Sequence, residues 1–512
     1  MTTHRHLRNS MWSVIQYLVS ALVMVACVRV FMGYLGADLY GVYSLLTVVG
    51  SLNLLSGLGL NTATVRFLAK QGKTRESDTD FMVGLVAAIA FASLMVGIGI
   101  VWKDPILGVV LHVPPKYIVE SSDVYVLFLL SNVPVLAGQV TLALLDALQL
   151  VSVSSILQGV YTLLYWGGLL AVFAMGLPFV AVGYAALGTA VLWCAIVAVV
   201  TLRHWGLLSP LWERSAIVGS IRKQLGFGIQ VNAGSVIAML FEPLTKIVAS
   251  HLLGIREVGI FDLGLKARSF IWGAFARALY PVFPLLAAEH DDAKRLAIVG
   301  DLEEKLLMVI LPVSLIVMGT AWPVARLWIG TDVAEIGTTI AVLTISYLFG
   351  STLMTPYYHF LVVHGEAGRV AVLHTLNVVA NLVGIVVSFQ TLGFYSLVVG
   401  SGAAMLLSSA VAYYHQVTTL RVRIVSHPTT LQAVLTLAGI GVITVLGVTV
   451  LAPSIIALVT VPLVAAALCL LVYRRAGVIH RSDLARYFGQ DSGISRLLAY
   501  CLVTEDQIRG AS

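Results

Sequence analysis

Two stretches of the chain decide its fold: YLGADLYGVYSL at Tyr34–Leu45 and LLGIREVGIFDL at Leu252–Leu263. Leu35, Gly36, Gly41, Val42 and Tyr43 align without a gap on Leu253, Gly254, Gly259, Ile260 and Phe261, at a constant offset of 218 residues. The same offset carries Phe67, Leu68 and Ala69 onto Leu285, Leu286 and Ala287. Each stretch follows a long apolar run that carries one cation, Arg29 in the first and Lys246 in the second. Agreement at two places with one offset points to an internal duplication.

The composition says what is duplicated. Of 512 residues 59% are hydrophobic and only 11% are charged, more apolar side chain than a soluble chain of this length can hide. The chain is therefore expected to be an all-α polytopic membrane protein. Hydrophobic runs of about 20 residues, the length that crosses a bilayer, lie at 11–33, 41–60, 81–102, 122–146, 154–175, 181–202, 225–253, 258–284, 304–329, 336–363, 368–390, 393–417, 431–451 and 454–473. These fourteen candidate spans divide into an N-lobe of six helices (1–202), a cytoplasmic linker (203–224), a C-lobe of six helices (225–417), two C-terminal helices (431–473) and a cytoplasmic tail (474–512) that could form short amphipathic helices at the membrane surface. Met11 to Met32 is too long for a signal-peptide core and reads as a retained first helix.

Lysine and arginine orient the array. With the N-terminus cytoplasmic, only Lys103, Lys116, Arg256 and Arg326 fall in outer loops, while Arg29, Lys246, Lys266, Arg268 and Arg277 fall within spans. The other 22 of the 31 basic residues are then cytoplasmic, as the positive-inside rule requires, and both termini share that side. Six helices separate the two copies, so both start on the same side and the lobes are expected to be related by an axis along the membrane normal. The net charge of +6 is accordingly a matter of membrane sidedness and gives no reason to expect nucleic acid.

The run GIFDLGLKARSFIWGAFARALYPVF, Gly259–Phe283, is apolar enough to be a span yet holds Asp262, Lys266, Arg268 and Arg277. Charges at the centre of a membrane helix cost roughly 2.5–3.5 kcal/mol each on insertion scales, so they mark function or pairing. Residues 11 apart on a helix are about three turns and ~16 Å apart and share a face. Lys266 and Arg277 thus form a cationic stripe with Phe270 and Gly273 between them, and Arg268 points to roughly the opposite side. Facing a water-filled cavity, such a stripe would offer donors to phosphate oxygens, Arg bidentately and Lys as a point charge. Asp262 with Lys266, and Glu242 with Lys246, are i, i+4 pairs that could instead neutralise themselves in a packed interface. Arg29, near the outer end of its helix, either snorkels or matches Lys246 across the duplication, one position out of register. Tyr161, Tyr165, Trp166, Trp272, Tyr357 and Tyr358 are candidates for stacking on sugar rings or for interfacial belts. Glycines such as Gly50, Gly57 and Gly59 read as places of close helix packing.

Cys27, Cys194, Cys469 and Cys501 share no close spacing, which argues against a disulfide framework or a metal site. The sequence holds no metal-ligand spacing, nucleophile elbow or P-loop, so neither an enzyme nor a cofactor is expected. A membrane-embedded glycan polymerase or acyltransferase would want large outer loops with catalytic acids or histidines, and the longest outer loop, 103–121, offers none.

The twice-occurring L-G-x-x-x-[YV]-G-[VI]-[YF] after a cation-bearing helix, the fourteen spans and the short basic loops resemble Wzx-type lipid-linked oligosaccharide flippases of the multidrug/oligosaccharidyl-lipid/polysaccharide exporter superfamily. The resemblance implies alternating-access transfer of an undecaprenyl-pyrophosphate-linked sugar repeat across a bacterial inner membrane, for O-antigen or exopolysaccharide synthesis, with a cationic cavity for the pyrophosphate. Membrane lipids and a polysaccharide polymerase machinery are the other implied partners. On this reading Lys266, Arg277, Lys246, Arg29 and Arg268 are the substrate-binding residues, and Glu242 and Asp262 are their charge partners. Members of the family often carry an Asp-Lys pair in the seventh helix, whereas here Thr245 precedes Lys246 and the nearest acid is Glu242. A cation-coupled multidrug exporter and a peptidoglycan lipid-precursor flippase are the competing functions. The five cations within spans against two acids favour an anionic cargo.

Overall fold

In the computed structural model every regular element among the described residues, 2–56, 60–279, 282–424, 428–450 and 455–476, is helical. The tail from 477 onward, Cys501, Gly57 and Gly59 lie outside the described residues. Nine helical segments among the described residues are long and apolar enough to cross a membrane, from Leu22–Val48 to Tyr395–Thr419. The helices Arg214–Leu252, Ile255–Leu279, Pro428–Val450 and Ile455–Ala476 lie at the expected spans 225–253, 258–284, 431–451 and 454–473. An all-helical membrane fold is thus established, and a count of fourteen spans is not fixed by it.

The chain divides into two compact units, Arg8–Asp262 and Leu263–Ser512 together with the first seven residues. Within the first unit the expected loop at Tyr34–Tyr40 is a break of a single residue. The helix Thr2–Ser56 is interrupted only at Gly36, where φ is 68° and ψ is 172°. The helix Arg214–Leu252 likewise ends two residues before Gly254, φ 112°, and the next helix begins at Ile255. Both glycines adopt a left-handed φ that a Cβ would disfavour, which explains their recurrence in the duplicated motif.

Gly41 and Gly259 recur for another reason. A Cβ on Gly41 would collide with the carbonyl of Ile255 and approach the backbone nitrogen of Gly259 to 3.4 Å. A Cβ on Gly259 would lie 2.9 Å from the carbonyl of Ala37 and 3.0 Å from the nitrogen of Gly41. Ala37 and Ile255 are themselves 218 apart, so the contact is reciprocal: residue 41 meets 255 and residue 259 meets 37. Reciprocity of this kind is how two equivalent segments meet across a two-fold axis. The helices can approach this closely only because neither carries a side chain there.

Connections sort to two ends of this unit as antiparallel spans require. At one end Lys116 Nζ reaches Asp38 Oδ2 at 3.5 Å and His251 Nε2 contacts the carbonyl of Val110 at 3.1 Å. At the other, Asp78 in the first turn of Arg75–Val101 accepts from Lys73 Nζ at 2.6 Å, Trp205 Nε1 at 2.8 Å and the Ser209 amide at 2.8 Å. Thr74 and Ser77 close a capping box on the same helix, satisfying donors its first turn leaves open. Between the ends sit buried apolar layers, including Leu68, Phe81, Ala88, Leu136, Leu144 and Trp205.

The second unit is built around Asp292–Trp328, whose first turns extend well before the apolar run. Val299, Leu302, Met354, Tyr357 and Phe360 form one core and Met308, Leu437, Cys469 and Tyr473 another. A π-helical turn, Leu348–Thr352, links Val333–Tyr347 to Thr355–Val363.

Gly41→Ala and Gly259→Ala should each destabilise the protein by ~1–3 kcal/mol, because backbone atoms have nowhere to retreat. Gly33→Ala, where nothing lies within 4 Å of the added carbon, should be neutral or slightly stabilising. Thermal unfolding in detergent measures both.

Candidate functional site

The duplicated turns position a buried ionic cluster inside the first unit. Lys246 is 2% exposed on the helix Arg214–Leu252, and its ammonium donates to Asp262 Oδ1 at 2.7 Å and lies 2.8 Å from Glu242 Oε1 one turn earlier. Asp262 is 1% exposed, and its Oδ2 accepts from the Tyr40 hydroxyl at 2.8 Å. Three helices therefore contribute: Tyr40 from the segment after Gly36, Glu242 and Lys246 from the helix before Gly254, and Asp262 from the helix after it. A buried ammonium is tolerated only when opposite charge and hydrogen bonds replace its lost hydration. Two carboxylates do so here, one dry and one, Glu242, 42% exposed.

This arrangement revises one expected pairing. Asp262 engages Lys246, sixteen residues away across the Gly254 turn, in addition to lying one helical turn from Lys266. The i, i+4 pair of Glu242 and Lys246 is present as expected. Tyr40 was not anticipated. Its signal was the motif itself, because the equivalent residue in the second copy, Val258, is apolar and fully buried.

Beyond Asp262 the helix Ile255–Leu279 passes into the second unit. Lys266 is half-buried there. Arg268 is buried, with its guanidinium 4.0 Å from the ring centre of Tyr347 and its Nη2 donating to Ser269 Oγ at 3.0 Å; its Nε has no partner among the described residues. A cation stacked on an aromatic face is favourable by about 0.5–2 kcal/mol. The side chain of Arg277 lies outside the described residues. Arg29, in the first unit, is exposed on an otherwise apolar segment.

On the face that carries Arg268, one and two turns further on, Trp272 and Ala276 line a cavity of about 340 Å³ together with Leu279, Phe283, Thr352, Thr355 and His359. The π-helical turn delivers Thr352 to this wall, and the Thr352 hydroxyl has no partner among the described residues. Sequence reasoning picked out Trp272 alone; Thr352 and His359 reach the wall through packing between helices. Tyr161, Tyr165 and Trp166 lie in an aromatic cluster of the first unit, where the Tyr43 and Tyr165 hydroxyls are 3.1 Å apart and Phe31 packs on Trp166. Tyr357 is buried against His415 in the second unit, and Tyr358 lies beside His374. Among the described residues no cluster of His, Cys, Asp and Glu could hold a metal ion.

Buried ionic groups on broken helices of an all-helical array recur in membrane transporters. Solved structures of membrane transporters share this fold. The lipid II flippase MurJ in an inward closed conformation superposes with a TM-score of 0.67 at 10% identity, covering 90% of this chain and 97% of that one. The Vibrio cholerae MATE transporter VcmN in the bent form gives 0.59 at 17% identity, covering 82% and 98%. An inward-facing multidrug resistance MATE family transporter of the MOP superfamily gives 0.59 at 14%, covering 85% and 96%. At these identities the likeness establishes the fold. None of the curated proteins compared matches the sequence. The family assignment comes from residues 6–287, which match the polysaccharide biosynthesis protein family, and the chain belongs to that family. Family and fold together make it an all-helical, membrane-embedded member of the polysaccharide biosynthesis protein family.

The burial of each group orders the cost of removing it. Asp262→Asn should destabilise most, on the order of 3 kcal/mol, because a dry ammonium loses its closest counter-charge. Tyr40→Phe should cost about 1.5–3 kcal/mol for a hydrogen bond to a charged acceptor. Glu242→Gln should cost least, since that carboxylate is only partly buried. Thermal unfolding of the three variants checks the ranking.

Proposed function

We propose that the chain carries an undecaprenyl-pyrophosphate-linked oligosaccharide repeat from the inner to the outer leaflet of a bacterial plasma membrane by alternating access, for assembly of a surface polysaccharide. The observation that carries the reading is the charge balance within the spans of a polysaccharide biosynthesis family member. Five cations stand against Glu242 and Asp262, an excess of three positive charges, and both acids engage Lys246. A pyrophosphate matches such a surplus, whereas a cationic drug would be repelled by it. The nearby lipid II flippase fold supports a lipid-linked cargo.

In this scheme Lys266 and Arg277 contact the pyrophosphate at successive depths, Arg29 adds a cation from the first helix, and Lys246 holds the helices around Gly254 in place. Arg268 stays on Tyr347 and shapes the adjoining cavity, whose Trp272, Thr352, Thr355 and His359 offer a stacking face and hydroxyls to sugar rings. The chain works with two six-helix lobes, 1–202 and 225–417, related along the membrane normal, and hands its product to a polymerase machinery outside.

Lipid extraction from a deletion strain should find lipid-linked repeats trapped and the surface glycan absent. Normal surface glycan with raised sensitivity to cationic dyes would overturn the proposal in favour of drug export. In the complemented strain Lys266→Gln and Arg277→Gln should lower surface glycan per protein at least tenfold, as loss of a charge-assisted bond of ~1.5–3 kcal/mol implies. Arg277→Lys should keep part of the activity, because the point charge remains and the bidentate fork is lost.

Sidedness has its own measurement. Single cysteines replacing Lys116 or Arg256 should react with an impermeant thiol reagent added outside, and those replacing Lys73 or Arg423 should not.

A further inference from the structure

The second unit buries a carboxyl group that the transport scheme leaves unused. Glu303 is wholly buried on the helix Asp292–Trp328, and its Oε2 accepts from Gln416 Nε2, on the helix Tyr395–Thr419, at 2.5 Å. Its other oxygen, Oε1, has no hydrogen-bond partner among the described residues, and neither has the Oε1 of Gln416. Those two oxygens belong to the same pair of side chains.

An ionised carboxylate is an acceptor only, and the carbonyl oxygen of an amide is too, so two orphaned acceptors side by side cannot satisfy each other. One proton removes both defects. A carboxyl protonated on Oε1 donates to Gln416 Oε1 while Gln416 Nε2 donates to Glu303 Oε2, closing the two-bond ring of a carboxylic acid with a primary amide. No charge is then left in a dry site.

Among the described residues no cation pairs with Glu303; the helix Ile255–Leu279 packs nearby through Phe275 and Leu279, with the Arg277 side chain outside the described residues, and Ile455–Ala476 ends in Arg474 and Arg475. From Thr355–Val363 the nearest titratable side chains are Tyr357 and His359. From Tyr395–Thr419 it is His415, which contacts Tyr357 and, from the next helix back, Arg369. From Ile455–Ala476, Tyr473 donates to the carbonyl of Met308 at 2.7 Å. Val333–Tyr347 brings Glu335 and Tyr347, and Pro428–Val450 carries no titratable residue. On Glu303's own helix Lys305 pairs with Asp301 at 2.9 Å, beside Glu304.

We propose that Glu303 and Gln416 form a proton-binding site: the carboxyl takes a proton from water, holds it in the ring with the amide while Asp292–Trp328 and Tyr395–Thr419 are in contact, and gives it back to water when they part. Proton binding and the approach of these two helices are thereby one linked equilibrium. The proposal is independent of which cargo the transporter carries.

The sign of the linkage follows. The folded contact binds a proton that the separated carboxyl releases at neutral pH, so the contact weakens as pH rises above the ordinary glutamate range, up to tenfold in its equilibrium constant per pH unit. Infrared spectroscopy of the purified wild-type protein in lipid should show a carboxylic-acid carbonyl band at neutral pH that fades at alkaline pH and is missing from Glu303→Gln. Thermal stability of the wild type should fall with rising pH relative to Glu303→Gln, whose amide keeps a donor and an acceptor without titrating. An infrared spectrum with the group ionised at neutral pH, or equal pH slopes for the two proteins, would overturn the proposal. Gln416→Leu separates the pair from mere burial: the band should persist and shift if the amide partners the acid, and an unshifted band would count against the ring.

Discussion

A lysine ammonium at 2% exposure is the constraint around which the first unit is arranged. It cannot shed its charge cheaply, and it cannot keep it without replacing a full hydration shell. Lys246 solves this with Asp262 and Glu242, and the second oxygen of Asp262 is satisfied by Tyr40. Two of these partners, Tyr40 and Asp262, are placed by glycines, and Glu242 by one turn of the helix that carries Lys246. Gly36 breaks the first helix so that Tyr40 starts the next one, Gly254 lets Asp262 return toward Lys246, and Gly41 and Gly259 allow the two continuations to touch. Ionic cluster and glycine contact stabilise each other, because a wider helix separation would leave the ammonium in a gap. A buried ion pair of this kind adds little net stability compared with apolar packing, and it penalises misplacement strongly. Its effect is to specify one arrangement of three helices.

The helix Ile255–Leu279 is therefore two things in succession. Its first two turns, through Asp262, belong to the first compact unit and complete the cluster there. From Leu263 onward it belongs to the second, and its remaining charges, Lys266, Arg268 and Arg277, are all positive. Of the two acids on this helix, Glu257 and Asp262, the second is held in the cluster. That division is what gives the span its net positive character, and it follows from where the chain turns at Gly254, since moving Asp262 by a single position would rotate it by about 100° away from Lys246.

Much of the fold was legible from sequence because its signals are local. Long apolar runs, single-glycine breaks and the offset of 218 all express backbone requirements that few residues meet. A left-handed φ at Gly36 and Gly254, and a missing Cβ at Gly41 and Gly259, leave almost no alternatives, so glycine stands at the same places in both stretches. The pair of Glu242 with Lys246 could be read for the same reason: one helical turn is a fixed distance. The bond from Lys246 to Asp262 could not, because it spans a turn whose geometry the sequence does not state. The loop drawn at Tyr34–Tyr40 was too long, since an apolar count cannot show that a helix resumes after one residue. Tyr40, Thr352, His359 and the Glu303–Gln416 pair depend on which helices are neighbours, and hydropathy carries no such information.

The two units answer one physical problem in opposite ways. In the first, a cation is buried and the chain supplies two acids, so charge is balanced by charge at fixed protonation. In the second, an acid is buried and the chain supplies an amide, which offers one donor and one acceptor but no charge. An amide stabilises a carboxylate with a single hydrogen bond and a carboxylic acid with two, so the choice of Gln416 over a lysine or arginine biases Glu303 toward its neutral form. Glu303 is wholly buried on a helix whose Val299 and Leu302 join an apolar core, and burial acts in the same direction by withholding water. A salt bridge at that position would hold its helices with one strength across the physiological pH range. An acid–amide ring makes the hold depend on a proton, and a contact between helices that responds to a proton is a contact that can be broken and remade.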